Sequence, residues 1–132
     1  MGQILQGAAR RPSGASCRSV VTSGCVFDVG DDCIAIKAGR GPHGRRVGVP
    51  CEDVLIDDCD MRYRYGSVAI GTDTTGGIRN VFVRRCRWGG PGLYFGDYIK
   101  TNSVRGGIIP SSRCGTSRSG TAPSSGCSGP TW

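Results

Sequence analysis

Two adjacent aspartates, Asp31 and Asp32, are the residues of this chain with the clearest chemical potential. They follow a glycine and precede a short apolar run, in the sequence VGDDCIAIK at residues 29–37. Adjacent carboxylates repel each other, which favours one protonated and one ionised member. Hydrolysis of a glycosidic bond needs one acid and one base, so this pair is a candidate for acid–base catalysis. A second pair, Asp57 and Asp58, lies inside a predicted strand and is assigned no chemistry.

The elements around these pairs belong to an internal repeat. Three ten-residue segments align without gaps, and their apolar positions alternate as in strands. All three have valine at the third position and cysteine at the eighth. The segments are RSVVTSGCVF (18–27), EDVLIDDCDM (52–61) and RNVFVRRCRW (79–88), at intervals of 34 and then 27 residues.

Each segment is followed by a second short strand, and turns rich in Gly, Pro and Thr separate the copies. Short strands in each repeat, with no helix pattern between them, predict an all-β fold, a parallel β-solenoid of about three coils. The predicted organisation has three parts: an irregular N-terminal segment at 1–13, the solenoid at 14–109, and an irregular Ser/Gly/Pro-rich tail at 110–132.

Stacking of the coils brings distant residues together. Equivalent positions of neighbouring coils lie about 4.8 Å apart, the spacing of strands in a sheet. Asp31 lies six residues after Cys25, and Tyr65 lies six residues after Cys59. The third coil contributes Tyr98 and Lys100 to the same region, where the lysine can hold a substrate carboxylate.

Composition narrows the class of protein. The 132 residues include 23 glycines, too many for a helical bundle. The apolar runs are too short to cross a membrane, and no signal peptide is visible. The eight cysteines form no C-x-x-C pair and the chain has one histidine, so we expect no metal site, and small buried thiols rather than disulfides. A net charge of +7 suits a polyanionic partner.

Several motifs, taken in order, resemble glycoside hydrolase family 28, the polygalacturonases and related pectin-degrading enzymes. They are VGDDCIAIKAGRG, GRRVGVP, GSVAIGTD, GGIRNVFVRRC, IKTN and RGG. The resemblance implies a right-handed, single-stranded parallel β-helix that hydrolyses α-1,4-galacturonosyl bonds in pectin or polygalacturonate with inversion. It also implies no cofactor, no metal and a monomer. Such enzymes act outside the cytoplasm, extracellularly or in the periplasm.

The resemblance also implies roles for individual residues. Asp31 falls on the general acid, Asp32 on a residue that activates water, and Lys100 on a substrate-binding lysine. Tyr65 stands where the family has a histidine, and Tyr98 where it has an arginine. A third family aspartate has no counterpart upstream of the pair. We therefore expect a divergent, truncated member with weak or no activity, cut from a longer open reading frame.

Two other functions compete with this one. The first is a non-catalytic β-helix that binds acidic polysaccharide through its positive charge. The second, weaker alternative is a basic nucleic-acid-binding protein. Against it, the arginines are dispersed and no basic helix or RNA-reading aromatic motif accompanies them, so we expect no nucleic-acid partner.

Overall fold

The computed structural model describes residues 16–62, 65–90, 93–104, 106–110, 112–114 and 118–119. The predicted irregular segment at 1–13 lies outside these residues. Within them the chain is built from short strands and one short helix. The elements are β1 (Arg18–Ser23), β2 (Val26–Asp28), β3 (Ile34–Ile36), α1 (Gly41–Val47), β4 (Cys51–Asp57), β5 (Asp60–Arg62), β6 (Tyr65–Gly66), β7 (Val68–Gly71), β8 (Ile78–Arg84), β9 (Arg87–Gly89), β10 (Leu93–Phe95), β11 (Tyr98–Lys100), β12 (Ser112–Cys114) and β13 (Arg118–Ser119).

These strands form four parallel sheets, so the all-β prediction is confirmed. Their strand orders are β1-β4-β8-β12, β2-β5-β9-β13, β3-β7-β11 and β6-β10. Each paired strand therefore lies beside its counterpart from another repeat and not beside its neighbour along the chain. The pairing is parallel throughout these sheets.

The register of the sheets reproduces the alignment of the repeats, which is thereby confirmed. Side chains from one position of the repeat lie directly above one another, and most of those that point inward are apolar, with Thr22 as a polar exception. Most of them are fully buried, so the core is a set of stacks one residue wide. Examples are the stacks Val20–Val54–Val81 and Phe27–Met61–Trp88.

The cysteines belong to this core. Six cysteines carry free thiols, and four of these side chains are buried: the six are Cys17, Cys25, Cys33, Cys51, Cys59 and Cys86. The Cys59 thiol donates to the carbonyl of Asp57 at 3.3 Å, and the Cys86 thiol donates to the carbonyl of Arg84 at 3.3 Å. Their small side chains fill the inner face of the corner where the chain leaves one sheet for the next.

The same corner explains the second aspartate pair. Asp58 has a φ of +50°, and the residues at the equivalent corners, Gly24 and Arg85, have φ of +64° and +52°. Aspartate tolerates this left-handed conformation better than most residues. Asp58 is therefore an exposed corner residue, and its neighbour Asp57 is 5% exposed and engaged in ion pairs.

The central strand β4 carries two buried acids that hold arginines from other strands. Glu52 is 7% exposed and pairs with arginines of both neighbouring strands, whereas both arginines paired with Asp57 come from the β8 side. Part of the positive charge of the chain is thus compensated by carboxylates within the sheets. The pairs are Arg18–Glu52 at 2.5 Å, Arg79–Glu52, Arg84–Asp57 at 3.1 Å and Arg85–Asp57 at 2.5 Å.

The helix α1 lies in the turn between β3 and β4, where the sequence shows no helical periodicity. It begins with a proline in its first turn, and its last turn is closed by Gly48 in the left-handed conformation. The N–H of Gly48 donates to the carbonyl of Gly44 at 2.9 Å. Caps, and not an apolar face, therefore define this helix. It has seven residues, which is the difference between the 34- and 27-residue intervals.

The segment after residue 110 contains backbone pairing that its composition does not predict. The strand β12 pairs with β8, and β13 pairs with β9, each continuing an existing sheet. Pairing of this kind needs only backbone donors and acceptors, which composition does not reveal. In the part of the chain that the structure describes, no helix is long and apolar enough to span a membrane.

Candidate active site

Asp31 and Asp32 lie in the turn between β2 and β3. The turn is fixed to the neighbouring repeat, because the N–H of Cys33 donates to the carbonyl of Gly66 at 3.0 Å. The backbone N–H of Asp32 donates to Oδ1 of Asp31 at 2.8 Å. Asp31 is exposed and Asp32 is half-buried, so the two carboxylates have different surroundings.

Tyr98 is the main partner of Asp32. Its hydroxyl donates to Oδ1 of Asp32 at 2.6 Å, across 66 residues of sequence. Burial, followed by the hydrogen bond to Asp32, raises the pKa of the Tyr98 phenol. The phenol therefore stays protonated at neutral pH and remains a donor. One oxygen of Asp32 is held in place by this contact, which orients the carboxylate.

Gly66 provides the space for this contact. A Cβ atom at this position would overlap Cε1 of Tyr98 and would lie 2.8 Å from Oδ1 of Asp32. The residue is buried between the two side chains. Any larger side chain at Gly66 would separate Tyr98 from Asp32.

Lys100 lies beside both predicted tyrosines. Its Nζ is 5.5 Å from the centre of the Tyr65 ring and 5.4 Å from the centre of the Tyr98 ring. At these distances the ring faces attract the ammonium group. Tyr65 itself has a φ of +69° and is 45% exposed. The five residues predicted from sequence thus form one connected cluster on three repeats.

One further acid near the cluster was not predicted. Asp97 precedes Tyr98 and accepts a hydrogen bond from the Ser67 hydroxyl, Oγ to Oδ1, at 2.7 Å. Ser67 is fully buried and follows Gly66. Asp97 escapes sequence analysis because the third repeat is less regular, so no alignment places it beside the second.

The cluster places two adjacent carboxyl groups near the ammonium group of Lys100. Asp31 offers an exposed carboxyl group, Asp32 an oriented carboxylate, and Lys100 a positive charge for an anionic ligand. Among the described residues, no three His, Cys, Asp or Glu side chains are grouped so that they could hold a metal ion.

Comparison with known proteins gives a partial match. A protein of Vitis vinifera described as a probable polygalacturonase is 33% identical over 67 residues, which are 50% of this chain and 14% of that protein. The match therefore covers a small part of the length of that protein. No protein-family model matches the chain. The match supports a polygalacturonase-like relationship, and with it a glycoside hydrolase-like function.

Proposed function

We propose that this chain is a glycoside hydrolase of the polygalacturonase type, a divergent member of glycoside hydrolase family 28. The observation that carries the proposal is the connected cluster of Asp31, Asp32, Tyr98 and Lys100. The partial similarity to a probable polygalacturonase supports it. The proposed reaction is inverting hydrolysis of α-1,4-galacturonosyl bonds in pectin or polygalacturonate.

The fold proposed with this function is a right-handed, single-stranded parallel β-helix of about three coils. The strand orders β1-β4-β8-β12 and β2-β5-β9-β13 support it, since each sheet takes one strand from each repeat. In such a fold the turns on one side of successive coils line a common surface. That arrangement accounts for contacts between residues 66 positions apart.

In the proposed mechanism Asp31 protonates the leaving oxygen and Asp32 activates the attacking water. Inversion requires the acid and the base to act on opposite faces of the sugar, with space for the water between them. The oxygen Oδ1 of Asp32 is occupied by Tyr98, so Oδ2 is the oxygen that receives the proton from water. Lys100, held between two rings, binds a substrate carboxylate.

We expect this reaction to be slow. The family's third aspartate, which shares the attacking water, has no counterpart in the upstream sequence, and general base catalysis contributes about 10² to 10⁴ in rate. Tyr98 supplies one neutral donor where an arginine would supply a charged fork for the substrate carboxylate.

The test is release of reducing sugar from polygalacturonate by the wild type and two variants. We expect Asp31→Asn to lower the rate at least tenfold, because the amide cannot donate the proton. Asp58→Asn is the matched control, since Asp58 is an exposed corner residue and asparagine accepts its positive φ. Equal rates in the wild type and Asp31→Asn would contradict the assignment of the acid.

A second candidate function is binding of acidic polysaccharide without turnover. It is favoured by the two tyrosines, which hold the ammonium group of Lys100 and stand where the family has a histidine and an arginine. Salt-sensitive binding to polygalacturonate, with no sugar released by the wild type, would support this function over hydrolysis. Tighter binding to DNA at matched salt would contradict both.

A further inference from the structure

A pocket lies away from the aspartate pair, at the other end of the sheet β3-β7-β11. It has a volume of about 530 Å³ and lies between the end of α1, the turn after β7 and the segment 106–110. Strand β7 runs from the cluster at Gly66 to this turn, and four residues of strand span roughly 13 Å. None of the five predicted site residues lines it.

The segment 106–107, which lines the pocket, is held in place by contacts beneath it. Thr74 is fully buried, and its hydroxyl donates to the carbonyl of Gly106 at 2.8 Å. The Thr101 hydroxyl lies 3.2 Å from that of Thr74, whose proton is already used, so Thr101 is the donor between them. Gly107 has a φ of +109°, and a Cβ there would overlap the carbonyl oxygen of Thr74. These contacts fix the segment 106–107 against the turn.

Two arginines give the pocket its charge. The Nε of Arg79 is bound by Glu52, which holds this side chain at the start of β8 and leaves its terminal nitrogens as donors. Arg45 comes from the last turn of α1, and its Nη1 lies 3.9 Å from the position that a Cβ at Gly106 would take. No acidic side chain among the described residues pairs with Arg45. The pocket is therefore lined by one guanidinium group that has no acidic partner among the described residues and by one that Glu52 holds in place.

Apolar groups complete the lining. Pro50, Ile78, Ile108 and Pro110 contribute to its walls, and Ile108 is 76% exposed. A ligand that satisfies both features carries a carboxylate for the guanidinium groups and a C–H face for the apolar walls. A uronate sugar has this combination, and the volume accommodates a small saccharide.

We propose that this pocket is a second, non-catalytic binding site for uronate residues of an acidic polysaccharide, with Arg45 and Arg79 as its carboxylate-binding residues. The proposal rests on the proposed function for the class of sugar. It gives the chain two points of attachment to one polymer, which raises the effective concentration of the second contact once the first has formed.

The experiment titrates trigalacturonate into ¹⁵N-labelled protein and follows the backbone amides of Gly77 and Gly107 at the pocket and of Gly66 at the aspartate cluster. All samples carry Asp31→Asn, so that the ligand stays intact. We expect saturable shifts at the two pocket glycines, and an affinity at least tenfold weaker after Arg45→Gln, because a charge-assisted hydrogen bond is lost.

Arg46→Gln is the matched control, because Arg46 is the next residue of the same helix and does not line the pocket. It should leave the affinity unchanged. Equal effects of the two substitutions, shifts confined to Gly66, or equal affinity for inorganic phosphate would overturn the proposal. If the wild type released no sugar, the proposed function would be contradicted. The binding titration would still test the pocket, because it does not require hydrolysis.

Discussion

At the residue scale, the contact between Tyr98 and Asp32 depends on the missing side chain at Gly66. The site tolerates no Cβ there, because that atom would overlap the Tyr98 ring. The geometry of the aspartate pair is therefore controlled by a residue with no functional group of its own.

We expect Gly66→Ala to lower the free energy of unfolding by about 1–3 kcal/mol, the usual cost of overpacking a buried site. Gly30→Ala is the control, because a Cβ at Gly30 meets nothing within 4 Å. Urea unfolding of both variants checks this. Equal stability of the two would contradict the close approach of Tyr98 and Asp32.

The Tyr98 phenol should lose its proton at a higher pH than an ordinary tyrosine, whose pKa is about 10. Its raised pKa comes from burial and from the hydrogen bond to Asp32. We therefore expect Asp32→Asn to lower the pKa of Tyr98, as measured by ¹³C NMR of the tyrosine rings. Asp58→Asn should leave it unchanged, and an unaltered Tyr98 titration in Asp32→Asn would refute the contact.

At the scale of elements, the strands are held by acids of the central strand as well as by backbone pairing. Asp57 of β4 accepts hydrogen bonds from Arg84 and Arg85. Burial opposes the charge of Asp57, but these bonds and the two positive charges outweigh it, so the net effect is a lowered pKa.

A lowered pKa in the folded state stabilises the fold at pH above the unfolded value, near 3.9, and this contribution is lost as pH falls through the folded value. We expect Asp57→Asn to be less stable than the wild type at neutral pH, and the difference to shrink in acid. Urea unfolding over a pH series measures it. Asp58→Asn should follow the wild type, and a pH-independent difference for Asp57→Asn would contradict the role of its charge.

The elements also show what could be predicted from sequence. The alignment at Val20, Val54 and Val81 predicted the pairing of β1, β4 and β8, because in-register stacking repeats the same environment in each repeat. The helix α1 was not predicted, since it is defined by caps and has no apolar periodicity.

The candidate site was only partly accessible to sequence analysis. Spacing from the repeated cysteines indicated that Asp31 and Tyr65 lie on neighbouring repeats, which holds because each repeat keeps its register. The hydrogen bond from Tyr98 to Asp32 could not be predicted, since it depends on side-chain direction and on the space at Gly66. Asp97 was missed because the third repeat departs from the spacing of the other two.

At the scale of the whole molecule, stability depends on thin stacks of side chains that include thiols. Burial raises the pKa of Cys33 and of Cys86 to about 11. An unfolded thiol ionises near pH 8.5. The folded chain thus keeps protons that the unfolded chain releases, and stability must fall as pH rises from about 9 to 11.

We expect this alkaline loss to be smaller in Cys86→Ala, although the variant is less stable at neutral pH because of the space it leaves. The slope of unfolding free energy against pH is the measurement. Cys25→Ala, at the partly exposed corner of the first repeat, is the control, since it leaves all four buried thiols in place, and we expect it to keep the wild-type slope. Identical slopes in all three proteins would contradict the burial of protonated thiols.

The helix α1 adds seven residues to one turn and leaves the strand register on both sides intact. A loop of different length or sequence can therefore replace residues 41–47 while the strands on either side pair in the same register. The pocket lined by Arg45 and Arg79 is built partly from that loop, whereas the aspartate cluster contains none of its residues. Exchange of this loop would thus change which ligand the pocket binds, without changing the residues proposed to hydrolyse the substrate.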